Sequence, residues 1–151
     1  RCLRQDPDVI MVGEMRDPQT ITAALTLADT DHPICSTLHN SSAAQAVNRI
    51  VDSFSGSMQD QARHQLSLSL RAVVAQRLFP RVGGGLVAAR EILLNTPAVG
   101  NLIRENKLEQ VGSVLQTGRA DGMVPMERAV EALLKNGSIS KEAAAPFLSA
   151  R

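Results

Sequence analysis

Residues 6–17 read DPDVIMVGEMRD, and the rest of the chain is organised around them. Val9, Ile10, Met11 and Val12 form an unbroken apolar run, short enough for a strand buried on both faces. The run stops at Gly13-Glu14, where a carboxylate follows a residue with no side chain. Asp17-Pro18 then reads as an N-cap and first helical residue, so a helix begins at once. Ile21, Ala24, Leu25 and Ala28 recur at i, i+3, i+4 and i+7, the apolar stripe of an amphipathic helix. After the turn-like Thr30-Asp31-His32-Pro33 comes a second β-rich run, residues 34–38, ending among the polar Thr37, His39 and Asn40. Ser41 or Ser42 can cap a further helix to about Asp52, with Ala44, Val47 and Val51 on one face. Strand, helix, strand, helix implies parallel strands joined by helical crossovers, an α/β core.

Further along, a loop rich in Ser and Gly (residues 53–57) leads to a helix expected to end near Leu78, with Leu66, Leu70, Val73 and Val74 as its stripe. Two short runs, residues 79–82 and 86–89, flank Gly83-Gly84-Gly85 and predict a hairpin that ends near Leu93. The glycine run is not a phosphate loop, because no Lys-Ser or Lys-Thr follows it and no helix starts directly behind it. From Thr96 the pattern changes to short helices, expected over residues 97–105, 107–117, 125–136 and from Ser140 to Leu148. A boundary near Asn95 divides an α/β part, residues 1–95, from a small helical subdomain, residues 96–151.

Composition narrows the classes of function. The 151 residues suffice for a domain with a sizeable core, and 44% apolar with 21% charged residues excludes a disordered tail. A net charge of +1 gives no bulk attraction to nucleic acid or anionic lipid. Three Phe with no Tyr or Trp offer no base-stacking platform, so no nucleic-acid partner is expected. No apolar run has the length of a membrane span. Cys2 and Cys35 make neither a disulfide framework nor a zinc set, and Cys35 is expected as a reduced core residue. The opening Arg1-Cys2-Leu3-Arg4, without an initiator methionine, leads straight toward a strand, as in a piece of a longer protein.

Two strand ends carry the chemistry. In a parallel α/β sheet, ligands collect outside the carboxyl ends of the strands. Glu14 ends one strand and Thr37-Leu38-His39 ends the next, so both tips should share an edge. An acid ending a buried strand just before a helix is the arrangement of a Walker B segment, whose carboxylate faces magnesium and the attacking water. A histidine beside it could hydrogen-bond a γ-phosphate. The alternative reading, a solvated Glu14 at a strand exit with structural His32 and His39, stays open on these residues alone.

Across nearly its whole length, through the runs LRQDPDVIMVGEMRD, STLHNSSAA, VAQRL, VGGG and VAAREI in that order, the chain resembles the type II/IV secretion ATPase superfamily. Its nearest branch by these motifs is the PilT family, the twitching-motility ATPases that drive type IV pilus retraction. The resemblance implies the C-terminal part of a RecA-like P-loop NTPase core. Residues 9–17 would be the family's atypical Walker B segment, with Gly13 where other NTPases carry an aspartate. Glu14 would be the catalytic acid near magnesium, held to the ion through water. Thr37-Leu38-His39 would match the His box, with His39 near the γ-phosphate and His32 a second histidine of that region; Arg16 falls in the same nucleotide region. Asn101, Leu102, Ile103, Arg104 and Glu105 match the end of the retraction motif, usually AIRNLIRE. Ala98-Val99-Gly100 stands where Ala-Ile-Arg is usual, which removes a charge and lowers helix propensity by roughly 1 kcal/mol relative to alanine. The absence of a four-cysteine insertion after Gln76-Arg77-Leu78 favours the retraction branch over assembly and secretion relatives.

The same resemblance implies ATP and Mg2+ as cofactors and a cytoplasmic homo-hexamer peripheral to the inner membrane. Its partners there would be the pilus platform protein and the pilus base. Such sites lie at or near subunit boundaries and are completed by arginines, for which Arg16, Arg63, Arg71, Arg77 and Arg81 are the candidates. No GxxxxGKS or GxxxxGKT occurs in the chain, so the phosphate-holding loop is expected upstream and these 151 residues alone should not turn over ATP. Two rivals remain: a non-catalytic truncated paralogue that assembles or docks on a ring, and a motor of the same fold serving pilus assembly, secretion or DNA translocation.

Overall fold

The computed structural model describes residues 7–30 and 32–148; Cys2, Asp6 and Asp31 lie outside the described residues. The elements in order are β1 (Ile10–Val12), α1 (Pro18–Ala28), β2 (Ile34–Ser36), α2 (Ala43–Asp52), α3 (Ser57–Ser69), β3 (Ala72–Pro80) and β4 (Leu86–Leu94). The helices α4 (Pro97–Arg104), α5 (Val111–Thr117), α6 (Met126–Lys135) and α7 (Lys141–Leu148) follow, with 3-10 turns at Leu108–Gln110 and Gly118–Asp121 around α5. β1 and β2 pair in parallel, Ile10 opposite Ile34 and Val12 opposite Ser36, so the chain is mixed α/β with the parallel pair of a RecA-like core and helices behind it. Among the described residues no helix is long and apolar enough to cross a membrane.

The crossover helix forms as its sequence dictates. The Asp17 carboxylate accepts the Thr20 N–H at 2.9 Å, Pro18 opens α1, and Ile21, Ala24 and Leu25 are buried. Helix α2 is capped by Ser42, which accepts the Gln45 N–H, and buries Ala43, Ala46, Val47, Ile50 and Val51.

Three expectations are corrected. The helix expected to end near Leu78 stops at Ser69: Leu70 is already extended, and residues 72–80 form β3. The β-branched Val73-Val74 pair fits a strand, and nine ladder pairs with β4, from Ala72–Leu94 to Pro80–Leu86, outweigh an apparent helical stripe. The hairpin is therefore much longer than its glycine-flanking segments indicate. Second, β1 is not buried on both faces: Ile10 is enclosed, while Val9 and Met11 are 58% and 65% exposed. Third, Cys35 is exposed rather than a core residue, because it pairs with Met11 on that same open face.

Two apolar clusters hold the molecule together. The larger joins Ile21 of α1, Val47 and Ile50 of α2 and Leu66 of α3 to Leu93, Val99, Ile103, Val111 and Met123, so packing runs without a break past residue 95. The smaller packs Phe79 and Ala89 of the hairpin on Met126, Val130, Ile139 and Ala144. Gly100 belongs to the first region's seam: a Cβ there would lie 3.0 Å from the Ser67 carbonyl oxygen. Its bare backbone lets α4 approach the end of α3.

Candidate nucleotide site at the strand tips

The parallel register of β1 and β2 brings their carboxyl ends side by side, and polar contacts lock the two tips beyond the last ladder pair. Met15 N–H donates to the Thr37 carbonyl at 3.3 Å, and Thr37 Oγ1 donates to the Gly13 carbonyl at 2.5 Å. The chain thus carries Glu14 and His39 to one place. Glu14 Oε1 lies 2.7 Å from Arg16 Nε and 3.1 Å from His39 Nε2. Glu14 is 26% exposed, whereas Arg16 and His39 reach well into solvent.

Charge follows from this geometry. The Arg16 hydrogen bond holds the Glu14 carboxyl below the usual carboxylate range; partial burial opposes it, and the charges of Arg16, His39 and Arg49 add to the lowering. The same pairing pushes the Arg16 guanidinium up. Glu14 is therefore an acceptor at neutral pH, with Oε1 engaged by Arg16 and His39.

A magnesium ion fits this donor set in one way. Among the described residues there is no group of three or more His, Cys, Asp or Glu placed to hold a metal. A single carboxylate suits an ion that keeps its waters and phosphate ligands, as magnesium does, and does not suit an all-protein cage.

The other candidate residues fall elsewhere. His32 precedes β2, at the opposite end of that strand from Thr37, and its Nδ1 lies 2.9 Å from Thr30 Oγ1. Residues 101–105 are on or just past α4. Ile103 is fully buried, Leu102 packs on the larger cluster, and Arg104 Nε donates to Ser67 Oγ at 3.5 Å. Glu105 receives Asn101 Nδ2 at 3.2 Å and Lys107 Nζ at 2.6 Å, and the Lys107 hydrogen bond lowers its carboxyl below the usual range. Of the remaining arginines, Arg63 pairs with Asp60 at 2.9 Å, Arg77 stacks over the Phe147 ring at 5.1 Å, and Arg71 and Arg81 are exposed.

Two residues near the site were missed by sequence reasoning. Arg49, one helical turn from the end of α2, acts on Glu14 through its charge. Glu91, only 7% exposed, accepts the Ala43 N–H at 2.8 Å. Glu91 could have been found: β-alternation through Val87, Ala89, Glu91 and Leu93 puts it on the inner face once the strand is extended past residue 89. Arg49 carried no local signal.

Comparison with known proteins shows the family to which this chain belongs. The family model described as type II/IV secretion system protein matches residues 1–142. A twitching motility protein of Neisseria gonorrhoeae is 53% identical over 143 residues, covering 94% of this chain and 38% of that protein. The type IV pilus retraction ATPase PilT of Pseudomonas aeruginosa is 48% identical over 140 residues, covering 93% and 41%. The crystal structure of the pilus retraction motor PilT with bound ADP superposes with a TM-score of 0.86 at 44% identity, covering 97% of this chain and 41% of that one. The chain thus spans about two fifths of the length of these relatives. With a family match across residues 1–142 and a shared fold over 97% of its length, this chain belongs to the type II/IV secretion system protein family, among its PilT-like members.

Proposed function

We propose that this chain is the Walker B and histidine half of a motor ATPase that powers type IV pilus retraction. The phosphate-holding half would be supplied by preceding sequence. The observation that carries the reading is Glu14 Oε1 held between Arg16 and His39 at the joined tips of two parallel strands. Glu14, kept ionised, accepts a hydrogen bond from the attacking water and orients it. His39, exposed and tied to Glu14 among the described residues, can exchange that partner for a γ-phosphate oxygen and so report whether the phosphate is present. Thr37 and Gly13 fix the spacing of the two tips, and Arg16 fixes the carboxylate. Magnesium, when bound with ATP, would neutralise charge on the transferred phosphoryl group, with Glu14 holding it through water.

Where the other half would seat is suggested by a groove of about 770 Å³ whose lining includes Ile34, Ser36 and Leu38 from β2 and just beyond it and Val73 and Val74 from β3. β2 and β3 each have one ladder partner among the described residues, so each offers an edge to a further strand. A strand from the phosphate-binding half is the occupant we assign to it. In the assembled protein, a cytoplasmic homo-hexamer at the inner membrane, α4 with Asn101, Arg104 and Glu105 would face the pilus machinery while Leu102 and Ile103 anchor it.

The 151 residues alone are expected neither to bind ATP tightly nor to hydrolyse it; Mg-dependent turnover by the purified chain would overturn this. In the longer protein, Glu14→Gln should reduce hydrolysis by about a hundredfold or more while sparing nucleotide binding. Unchanged turnover would show that a different acid, or no acid of this chain, does the work.

A further inference from the structure

His39 sits in a short segment anchored at both ends, and the second anchor is a carboxylate far from it in sequence. At the first end, Thr37 is tied to β1 through Gly13 and Met15. At the other end the segment enters α2 at Ala43, whose N–H is the kind of first-turn donor that has no partner within its own helix. Glu91 accepts it at 2.8 Å from the inner face of β4, opposite Ala75 in the hairpin register. Ala75 on the same face is small and buried, and α2 lies against both strands of the hairpin. A buried carboxylate at a helix N-terminus is stabilised by the helix dipole as well as by the hydrogen bond. Ser42 and Gln45 cap the same turn: Ser42 Oγ accepts the Gln45 N–H, and Gln45 Oε1 accepts the Ser41 hydroxyl at 2.5 Å. Those two contacts are within the turn and set its shape. Among the side-chain hydrogen bonds of that turn in the described residues, the one from Glu91 comes from another element and helps set where the turn stands.

We propose that Glu91 is a positioning residue for the strand-tip site: by gripping Ala43 it fixes the 38–42 segment, and with it His39, against Glu14. This rests on the reading of Glu14 and His39 given above.

The first test uses the 151-residue chain and needs no catalysis. Amide hydrogen exchange at Ala43 should be slow for a first-turn position. Glu91→Ala should speed it by about tenfold or more, with faster exchange across residues 38–42 and none in α4. Glu91→Gln, whose amide oxygen can still accept the bond, should restore most of the protection. Exchange at Ala43 that is unchanged in Glu91→Ala, or lost equally in Glu91→Gln, would overturn the proposal. If Glu91→Ala does not fold, the Gln variant alone decides it.

The second test uses the longer protein. Glu91→Ala should lower kcat about tenfold with the KM for Mg-ATP moved less than about twofold, and Glu91→Gln should recover it. A raised KM with intact kcat would overturn the positioning role. Should the exchange result hold while Glu14→Gln leaves hydrolysis intact, the anchoring of the 38–42 segment stands and the catalytic reading of the site is what has failed.

Discussion

In β1, Ile10 is buried while its neighbours Val9 and Met11 stand mostly in solvent; in α4, α5 and α6, Val99, Ile103, Val111 and Val130 are wholly enclosed. The residues of β1 are the more continuously apolar in sequence, so hydrophobicity alone does not decide which region is enclosed. What separates them is how many sides are covered. The helices after residue 95 close on α3, β4 and one another, whereas the β1–β2 pair has three ladder positions and one packed face. The closed region supplies rigidity. The open one holds the proposed site, kept in place by polar ties at Thr37, Arg16 and Glu91 rather than by enclosure, a division common where sites sit at the less stable end of a fold.

Truncation is the strongest way to break the comparison. Ile103→Ala removes a fully buried side chain from the larger cluster and should cost about 2–5 kcal/mol of unfolding free energy. Met11→Ala, on the open face, should cost less than about 0.5 kcal/mol in this chain. Urea denaturation of both variants checks this, and similar losses would mean that the β1 face is covered in solution. Next in size comes the polar tie itself. Thr37→Val keeps the shape but deletes the bond to the Gly13 carbonyl, and should cost about 0.5–1.5 kcal/mol. The loss of ATP turnover in the longer protein should be much larger than that stability change implies, since the tie sets the spacing of Glu14 and His39.

The same contrast explains what was legible in the sequence. The strand–acid–helix reading of residues 9–18 and the His39 neighbourhood follow from local rules, an apolar run, an N-cap and a proline, and the structure has those elements. Leu66, Leu70, Val73 and Val74 satisfied helical spacing, yet the chain breaks at Leu70 because the partner strand that recruits Val73 and Val74 lies some twenty residues further on. Long-range pairing outvoted local period. Exposure of Met11 and Cys35 was not readable either, since a run of apolar residues does not say which of its faces another element will cover. The grip of Glu91 on Ala43 needed the register of β4 and the position of α2 together.

A smaller effect separates two helix ends built alike. At the end of α6, Gly137 takes a positive φ of 74°, with Gly137 N–H bonded to Leu134 O and Ser138 N–H to Leu133 O. At the end of α4 the same pair of bonds recurs, Asn106 to Ile103 and Lys107 to Leu102, but the left-handed residue is Asn106 at φ 56°. Asn106→Gly should therefore stabilise the chain by about 0.5 kcal/mol, the strain relieved at that residue being partly offset by a more flexible unfolded chain. A loss of stability would mean that the Asn106 side chain has a role beyond closing the helix.

The least of the expected effects concerns acid. Asp17, the cap of α1 beside the open site, has its carboxyl lowered first by the Thr20 backbone N–H and then by the Thr20 hydroxyl. A carboxyl lowered on folding binds its proton more readily in the unfolded chain. Its contribution is therefore complete above the unfolded value and disappears as pH falls through the lower folded one. Asp17→Asn keeps an acceptor for Thr20 but does not titrate. Its urea midpoint should lie slightly below that of the parent chain at neutral pH, and the gap should narrow as pH falls through the acid range, below about 4. Glu14, Glu105 and Glu142 are lowered too and remain in both proteins, so an acid-dependent loss should persist in the variant with a shallower slope. Equal slopes would place the acid sensitivity in those three, and a gap that widens toward low pH would reverse the sign assigned to Asp17.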